Sequence, residues 1–394
     1  MGAGRKHFEL DAERVDAMIA GARARASSPD ETECLRAVLG AAADGVPPSP
    51  SDAAALWCSS IDTDAIYRAA CRAQARRGLP LETFSPLYMT NTCDAECRMC
   101  GMRRDNDALV RETASPEQVA DQLSTLKRRG MNAVALLTGE YRSERRGWAI
   151  DFVNRALRTT EELGFGHVLI NIGSLDPQEI DALLDGVSRN PDGSVAPKVT
   201  MCTFQETYSR EYYGRFMGRS ADNPRADYDR RLENFDRARE AGMRIANPGI
   251  LIGLNPDLAF ELTALILHTQ HLLGSGMEVY LSVPRLRLTA GGSEPRGATD
   301  DQFVRLVSLL ALTVPEGKIV LTTREPKEIQ HKLVPICTVL SAGSASVTPY
   351  TRDGARFPLE TSQFEVIDQR PFEDVLGEFV ADGGEIVNFA ERTG

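Results

Sequence analysis

The stretch Pro86–Asn106, PLYMTNTCDAECRMCGMRRDN, sets Cys93, Cys97 and Cys100 at the spacing C-x3-C-x2-C. Three of the eight cysteines of a 394-residue chain thus fall within eight residues, directly behind a run, TFSPLYMT (83–90), that reads as a strand. Structural zinc takes four ligands, normally as two paired units, and no second Cys or His pair follows. His167, His268, His271 and His331 are dispersed, and His268 with His271 reads as a solvated helix face. A catalytic thiol needs a neighbouring base rather than two further copies of itself. What remains for three thiolates is a [4Fe–4S] cluster, with three irons fixed and the fourth open to a chelating ligand. Cys34, Cys58, Cys71, Cys202 and Cys337 stand singly and read as small buried side chains.

Outward from this stretch, short apolar runs alternate with helical patterns. The strand candidates are 83–90, AVALLTG (133–139), HVLINIG (167–173), VTMCTFQ (199–205), RIANPGILIGL (244–254), EVYLSVP (278–284), IVLTT (319–323) and ICTVLSA (336–342). Helical spacing fills the gaps, as in 115–130, 226–242 and 257–276. This order and length give an α/β fold, a (β/α)8 barrel, with an open doubly wound sheet as the alternative. The polar residues gather behind the strands: Thr138-Gly139-Glu140, Asn171 to Ser174, Gln205-Glu206, Pro284-Arg285, Arg324-Glu325-Pro326 and Ser341 to Ser344. In a barrel those ends share one face, the face that carries active sites. Residues 1–80 read as an N-terminal helical extension, broken by the Pro-rich DGVPPSPSD (44–52), with Ser51 or Asp52 as N-cap of a helix over 53–60. Residues 81–394 are then the barrel with a C-terminal closing segment.

The composition, 42% hydrophobic and 26% charged, is that of a soluble globular chain. Its net charge of -11, without a segregated basic patch, argues against nucleic acid as a partner. No apolar run reaches the roughly 18 residues of a membrane span. The N-terminus lacks the apolar core of a signal peptide, so a cytoplasmic location is expected.

C-x3-C-x2-C on the loop after the first strand of a barrel resembles the radical SAM superfamily, in which the open iron binds S-adenosylmethionine. Further segments extend the resemblance to the aromatic amino acid lyases of that superfamily, and within them to the tryptophan-lyase branch that makes 3-methyl-2-indolic acid for thiopeptide antibiotics. They are LTGEY (137–141), NIGS (171–174), VTMCTFQETYSREYYGRFMG (199–218), NPGILIGL (247–254), LSVPRLR (281–287) and LTTREP (321–326). The resemblance spans about 85 through 370 and departs from the branch pattern at Met89, Thr92 and Gly101. It implies that Cys93, Cys97 and Cys100 hold the [4Fe–4S] cluster. It also implies that Met99, Gly139, Glu140, Asn171, Ser174, Glu206 and Arg231 surround S-adenosylmethionine. Thr138 stands where the usual turn has a first glycine. The substrate would lie against Tyr88, Ser282, Arg285, Arg324 and Ser341, with Arg324, Tyr88 and Ser341 as the catalytic set and Arg324 clamping the carboxylate. An electron donor such as flavodoxin or ferredoxin is implied, and tyrosine or a substituted indole amino acid is the alternative substrate.

Overall fold

The apolar runs become eight parallel strands closed into a barrel. The computed structural model describes residues 7–292, 297–351, 357–381 and 385–390. The strands are β1 (Leu81–Tyr88), β2 (Ala133–Leu137), β3 (His167–Asn171), β4 (Val199–Cys202), β5 (Ile245–Asn247), β6 (Glu278–Ser282), β7 (Lys318–Thr322) and β8 (Val339–Ser341). Each pairs in parallel with the next, and β8 returns to β1 through Phe84 opposite Ser341. A two-residue β9 (Ile386–Val387) adds to the start of β1. Buried on both faces, such strands read as near-continuous apolar runs rather than alternating ones.

Four helices precede the barrel: α1 (Ala12–Ala26), α2 (Pro29–Ala43), α3 (Pro50–Cys58) and α4 (Thr63–Arg77). The others are α5 (Pro116–Arg128), α6 (Ser143–Glu162), α7 (Pro177–Leu183), α8 (Arg210–Met217), α9 (Tyr228–Leu232), α10 (Asn234–Glu240), α11 (Leu258–Gly274), α12 (Asp300–Thr313), α13 (Lys327–Leu333) and α14 (Phe372–Ala381). The first layer packs on α11 and α12 and joins the same continuous core. Arg305 of α12 is its staple: Nε donates to Trp57 O (3.2 Å), Nη1 to Ile61 O (2.7 Å) and Nη2 to Ser59 O (2.9 Å). Those are carbonyls at and beyond the end of α3, which a helix leaves without internal donors.

Several details differ from the sequence reading. The helix expected over 53–60 begins at Pro50 and is capped by Ser49, whose Oγ accepts from Asp52 N at 3.1 Å. Proline suits that first position because its missing N–H would have had no partner there. The fifth strand shrinks to three residues, because Pro248 cannot donate to the ladder and isolated bridges at Gly249, Ile250 and Ile252 follow. The helix expected over 226–242 is two, α9 and α10, meeting at Glu233. Of the single cysteines, Cys202 and Cys337 are buried, Cys58 and Cys71 half-buried, and Cys34 is exposed. Among the described residues no helix is long and apolar enough to cross a membrane.

His268 is fully buried rather than solvated. Its Nδ1 lies 2.8 Å from Tyr208 Oη, and Phe8 stacks on the ring at 4.3 Å between centroids. His271 lies 2.9 Å from Asp236. Burial pushes both His268 and His167 down to about 3. Both stay neutral in the fold, so as pH falls below the ordinary histidine value near 6.5 the unfolded chain takes up protons that the fold refuses. Stability should fall by about 1.4 kcal/mol per pH unit for each of them. Urea midpoints between pH 7 and pH 4 test this, and His167→Gln with His268→Gln should flatten the acid arm.

Candidate active site

The cysteines lie on the loop that leaves β1 at the open mouth of the barrel, and several clamps hold that loop. Arg111 donates to the carbonyls of Asn91 (3.0 Å), Met102 (2.8 Å) and Arg103 (2.6 Å). Asn106 Nδ2 reaches Gly101 O (2.7 Å) and Ala290 O (2.9 Å). Across the loop, a Cβ on Gly139 would fall 2.2 Å from Thr92 O and 2.6 Å from Cys93 Cβ, so this approach requires glycine. Burial pushes the Cys93 thiol up to about 12, and pushes Cys97 up against the opposing charge of Arg225.

The donors at these sulfurs are amides. Ala95 N and Glu140 N lie 3.4 and 3.3 Å from Cys93 Sγ, and Gln363 Nε2 lies 3.3 Å from Cys100 Sγ. Amide donors around half-buried thiols fit an iron–sulfur cluster, whose sulfurs are stabilised in this way. Among the described residues no three Cys, His, Asp or Glu side chains converge on a point where one metal ion could sit. A cube places each thiolate on a different iron and asks for no such convergence.

Beside the loop lies a buried charge cluster. Glu140 pairs with Arg231 Nη1 at 2.6 Å and Arg225 Nε at 3.2 Å, and Arg225 Nη2 reaches Glu206 at 2.8 Å. Burial opposes ionisation of Glu140, but the charges of Arg231 and Arg225 outweigh it and hold the carboxyl below its usual range. Glu140 Oε2 is buried with no hydrogen-bond partner among the described residues. Glu206 adopts φ +68°, a left-handed conformation that a side-chain-bearing residue rarely takes, as the chain turns off β4.

The rest of the cavity is apolar with a few polar points. Phe84, Leu137, Leu169, Phe204, Leu251 and Phe364 supply walls, and the space out to its open mouth is about 1550 Å³. Arg324 stacks on Phe364, its guanidinium carbon 3.3 Å from the ring centroid. Among the described residues it has no carboxylate partner, and burial lowers its pKa. Tyr88 Oη donates to Gln363 Oε1 at 2.5 Å. Ser282 Oγ accepts from Asn247 Nδ2 at 3.0 Å. The segment behind β8 closes over this space, with Gly101 N donating to Gln363 O (3.0 Å) and Glu365 N to Leu288 O (2.8 Å).

Cys93, Cys97, Cys100, Met99, Gly139, Glu140, Asn171, Glu206 and Arg231 all line this one cavity, together with Tyr88, Ser282, Arg324 and Ser341. Two expected residues do not. Arg285 turns away to Glu325 (2.8 Å from Nε), Asp300 (2.6 Å) and the Phe303 ring of α12. Side chains alternate along a strand, so with Ser282 and Pro284 facing the cavity Arg285 must face the helices. Ser174 is buried behind the turn at Gly173, where its carbonyl accepts from Arg146. The sequence reading missed Arg225, Asn247, Arg287, Gln363 and Phe364, which also line the space.

The closed parallel barrel carries three thiols on the loop behind its first strand and opens on a cavity with paired carboxylates and arginines, and its fold matches that of radical SAM barrels of known structure. Within that class the chain is homologous to the aromatic amino acid lyases of the 2-iminoacetate synthase and HydG type. No family model matches it. Over 319 residues it is 28% identical to the 2-iminoacetate synthase of Escherichia coli (strain K12), covering 78% of this chain and 77% of that protein. The Salmonella typhimurium protein of the same name is 26% identical over 320 residues, again covering 78% and 77%. Among solved structures, HydG, a maturase of the [FeFe]-hydrogenase, superimposes with a TM-score of 0.80 at 26% identity over 96% of this chain and 80% of that one. Methylornithine synthase (PylB) shares the fold, with a TM-score of 0.68 at 18% identity over 89% of this chain and 97% of that one. The cofactors of this class are a [4Fe–4S] cluster and S-adenosylmethionine.

Proposed function

We propose that this protein is a radical SAM lyase that converts L-tryptophan to 3-methyl-2-indolic acid by side-chain fragmentation and carboxyl migration. The observation that carries the reading is Arg324. A guanidinium that lines the cavity, with an aromatic ring beneath it and no carboxylate partner among the described residues, calls for an anion, and an amino acid supplies one. When bound, the cluster and S-adenosylmethionine supply a 5′-deoxyadenosyl radical that takes a hydrogen atom from the substrate amine. Cys93, Cys97 and Cys100 are the residues that would hold the cluster. Glu140, whose Oε2 has no donor among the described residues, suits the ammonium of S-adenosylmethionine. Arg231 and Arg225, the latter held in turn by Glu206, fix that carboxylate in place, and Met99, Gly139 and Asn171 complete the wall.

Arg324 orients the substrate carboxylate through two parallel hydrogen bonds and keeps its counter-charge fixed while the fragment moves. Tyr88, whose phenol proton is given to Gln363, presents oxygen lone pairs to the substrate amine. Ser282 and Ser341 add polar points at the ends of β6 and β8. Phe364 and Val366 exclude water from the reacting carbon centre. The choice of tryptophan rests on the sequence resemblance described above. Flavodoxin or ferredoxin would be the electron donor.

Anaerobic reaction of the reconstituted protein with S-adenosylmethionine, dithionite and tryptophan, followed by mass analysis, should yield 3-methyl-2-indolic acid. A second reading, cleavage of tyrosine, is favoured by the 28%-identical relative named 2-iminoacetate synthase. Product from tyrosine alone would establish it in place of the first.

The carboxylate–arginine cluster gives a further expectation. Glu140→Gln and Glu206→Gln should each weaken S-adenosylmethionine binding about tenfold or more, the cost of losing a charge-assisted hydrogen bond. The effect should be present without amino acid, measured by equilibrium dialysis. Normal affinity combined with lost product would move these residues to the substrate.

A further inference from the structure

Gln363 has both ends of its side-chain amide engaged, and the two partners serve different parts of the site. Nε2 donates to Cys100 Sγ at 3.3 Å, and Oε1 accepts from Tyr88 Oη at 2.5 Å. The main chain locks the same residue: Gln363 N donates to Ala345 O at 3.2 Å, and Gln363 O accepts from Gly101 N at 3.0 Å. The approach is so close that a Cβ on Gly101 would lie 2.7 Å from Gln363 O and 3.1 Å from Ser362 O. The closing segment is therefore keyed to the cysteine loop at this residue.

The chemistry fixes the polarity of the chain. A ligand thiolate only accepts, so the amide must turn its NH2 to sulfur and its carbonyl to the phenol. The phenol must then donate to Gln363, which leaves its remaining lone pairs toward the cavity. Tyr88 is thereby held as an acceptor at the point where Arg324 and the apolar walls also converge.

We infer that Gln363 is a positioning residue that tunes the cluster through Cys100 and, through Tyr88, fixes the acceptor that meets the substrate amine. The inference rests on the radical SAM reading above and deepens it. A hydrogen bond to a ligand sulfur favours the more negative, reduced state of the cluster and raises its potential. Removing the amide should lower the potential and loosen the amino acid together. Removing the phenol should loosen the amino acid alone.

The test compares wild type, Gln363→Met and Tyr88→Phe as reconstituted full-length proteins with equal iron content. The cluster potential is read by EPR-monitored redox titration. Tryptophan affinity is read by calorimetry on the oxidised, non-reacting enzyme. Gln363→Met should shift the potential to more negative values and weaken tryptophan about fivefold, the effect of one lost hydrogen bond. Tyr88→Phe should weaken tryptophan by a similar factor with the potential held near that of wild type. If Gln363→Met fails to retain iron, Gln363→Asn, which keeps an amide one methylene short of both partners, should show the same two changes. Equal potentials in wild type and a Gln363 variant that both carry the cluster overturn this inference and leave the function standing. A wild type with no reducible cluster overturns both.

Discussion

Cys93→Ala, Cys97→Ala and Cys100→Ala should each reduce 5′-deoxyadenosine formation to background. A cube with one iron given to S-adenosylmethionine has three protein ligands and no spare, so the loss of one leaves an iron without a thiolate. Cys202 lines the same cavity, but it rises from the barrel wall with its Sγ 3.2 Å from Asn247 Oδ1 and is not on the loop. Iron content and the absorbance of the reconstituted cluster should fall in step with activity. Cys34→Ala and Cys58→Ala should leave both unchanged, since these residues lie on α2 and α3 of the outer layer. Full 5′-deoxyadenosine formation by the triple variant would remove the cluster from this loop.

Arg324→Ala and Arg324→Lys should keep S-adenosylmethionine cleavage yet lose the rearranged indolic acid. The guanidinium lies against the Phe364 ring in the apolar part of the cavity, a placement that a shorter or unbranched side chain does not reproduce. Losing a bidentate charged pair should weaken tryptophan binding by roughly 10–100-fold, corresponding to about 1.5–3 kcal/mol. Lysine restores charge but not the planar fork, so the carboxyl fragment would still be misplaced and a decarboxylated, 3-methylindole-type product should accumulate. Tryptophan binding and product ratio by chromatography read the two halves of the effect separately. Normal yield of the indolic acid from Arg324→Ala would assign the carboxylate to another group. Arg287 is then the candidate, because it lines the cavity whereas Arg285 does not.

The barrel was legible because parallel strands covered on both faces leave unbroken apolar runs, and because loops of chemical residues followed seven of the eight runs. The cysteines were legible because their ligand set is contiguous in sequence. Strand lengths were overestimated where a proline ends the ladder, as at Pro248. Ser282 and Arg285 stand three positions apart on an extended segment, and side-chain alternation alone shows that they cannot share a face. Arg225, Gln363 and Phe364 left no local trace: each sits on an irregular segment whose path to the cavity depends on the folding of the whole barrel. His268 was misjudged because its burial comes from residues distant in sequence: Tyr208, Phe235 and, some 260 residues earlier in the chain, Phe8.

The link between Cys100 and Gln363 spans 263 positions, and β1 cannot complete its pairing until β8 exists. At ribosomal speeds of about 5–20 residues per second, the cysteines emerge roughly 15–50 s before the segment that covers them. Throughout that interval the nascent chain presents three neighbouring thiols with no lid, open to oxidation and to adventitious metals. The order of synthesis therefore opposes the order of protection, and the finished C-terminal crossing is what turns a reactive tripeptide-like ligand set into a shielded one.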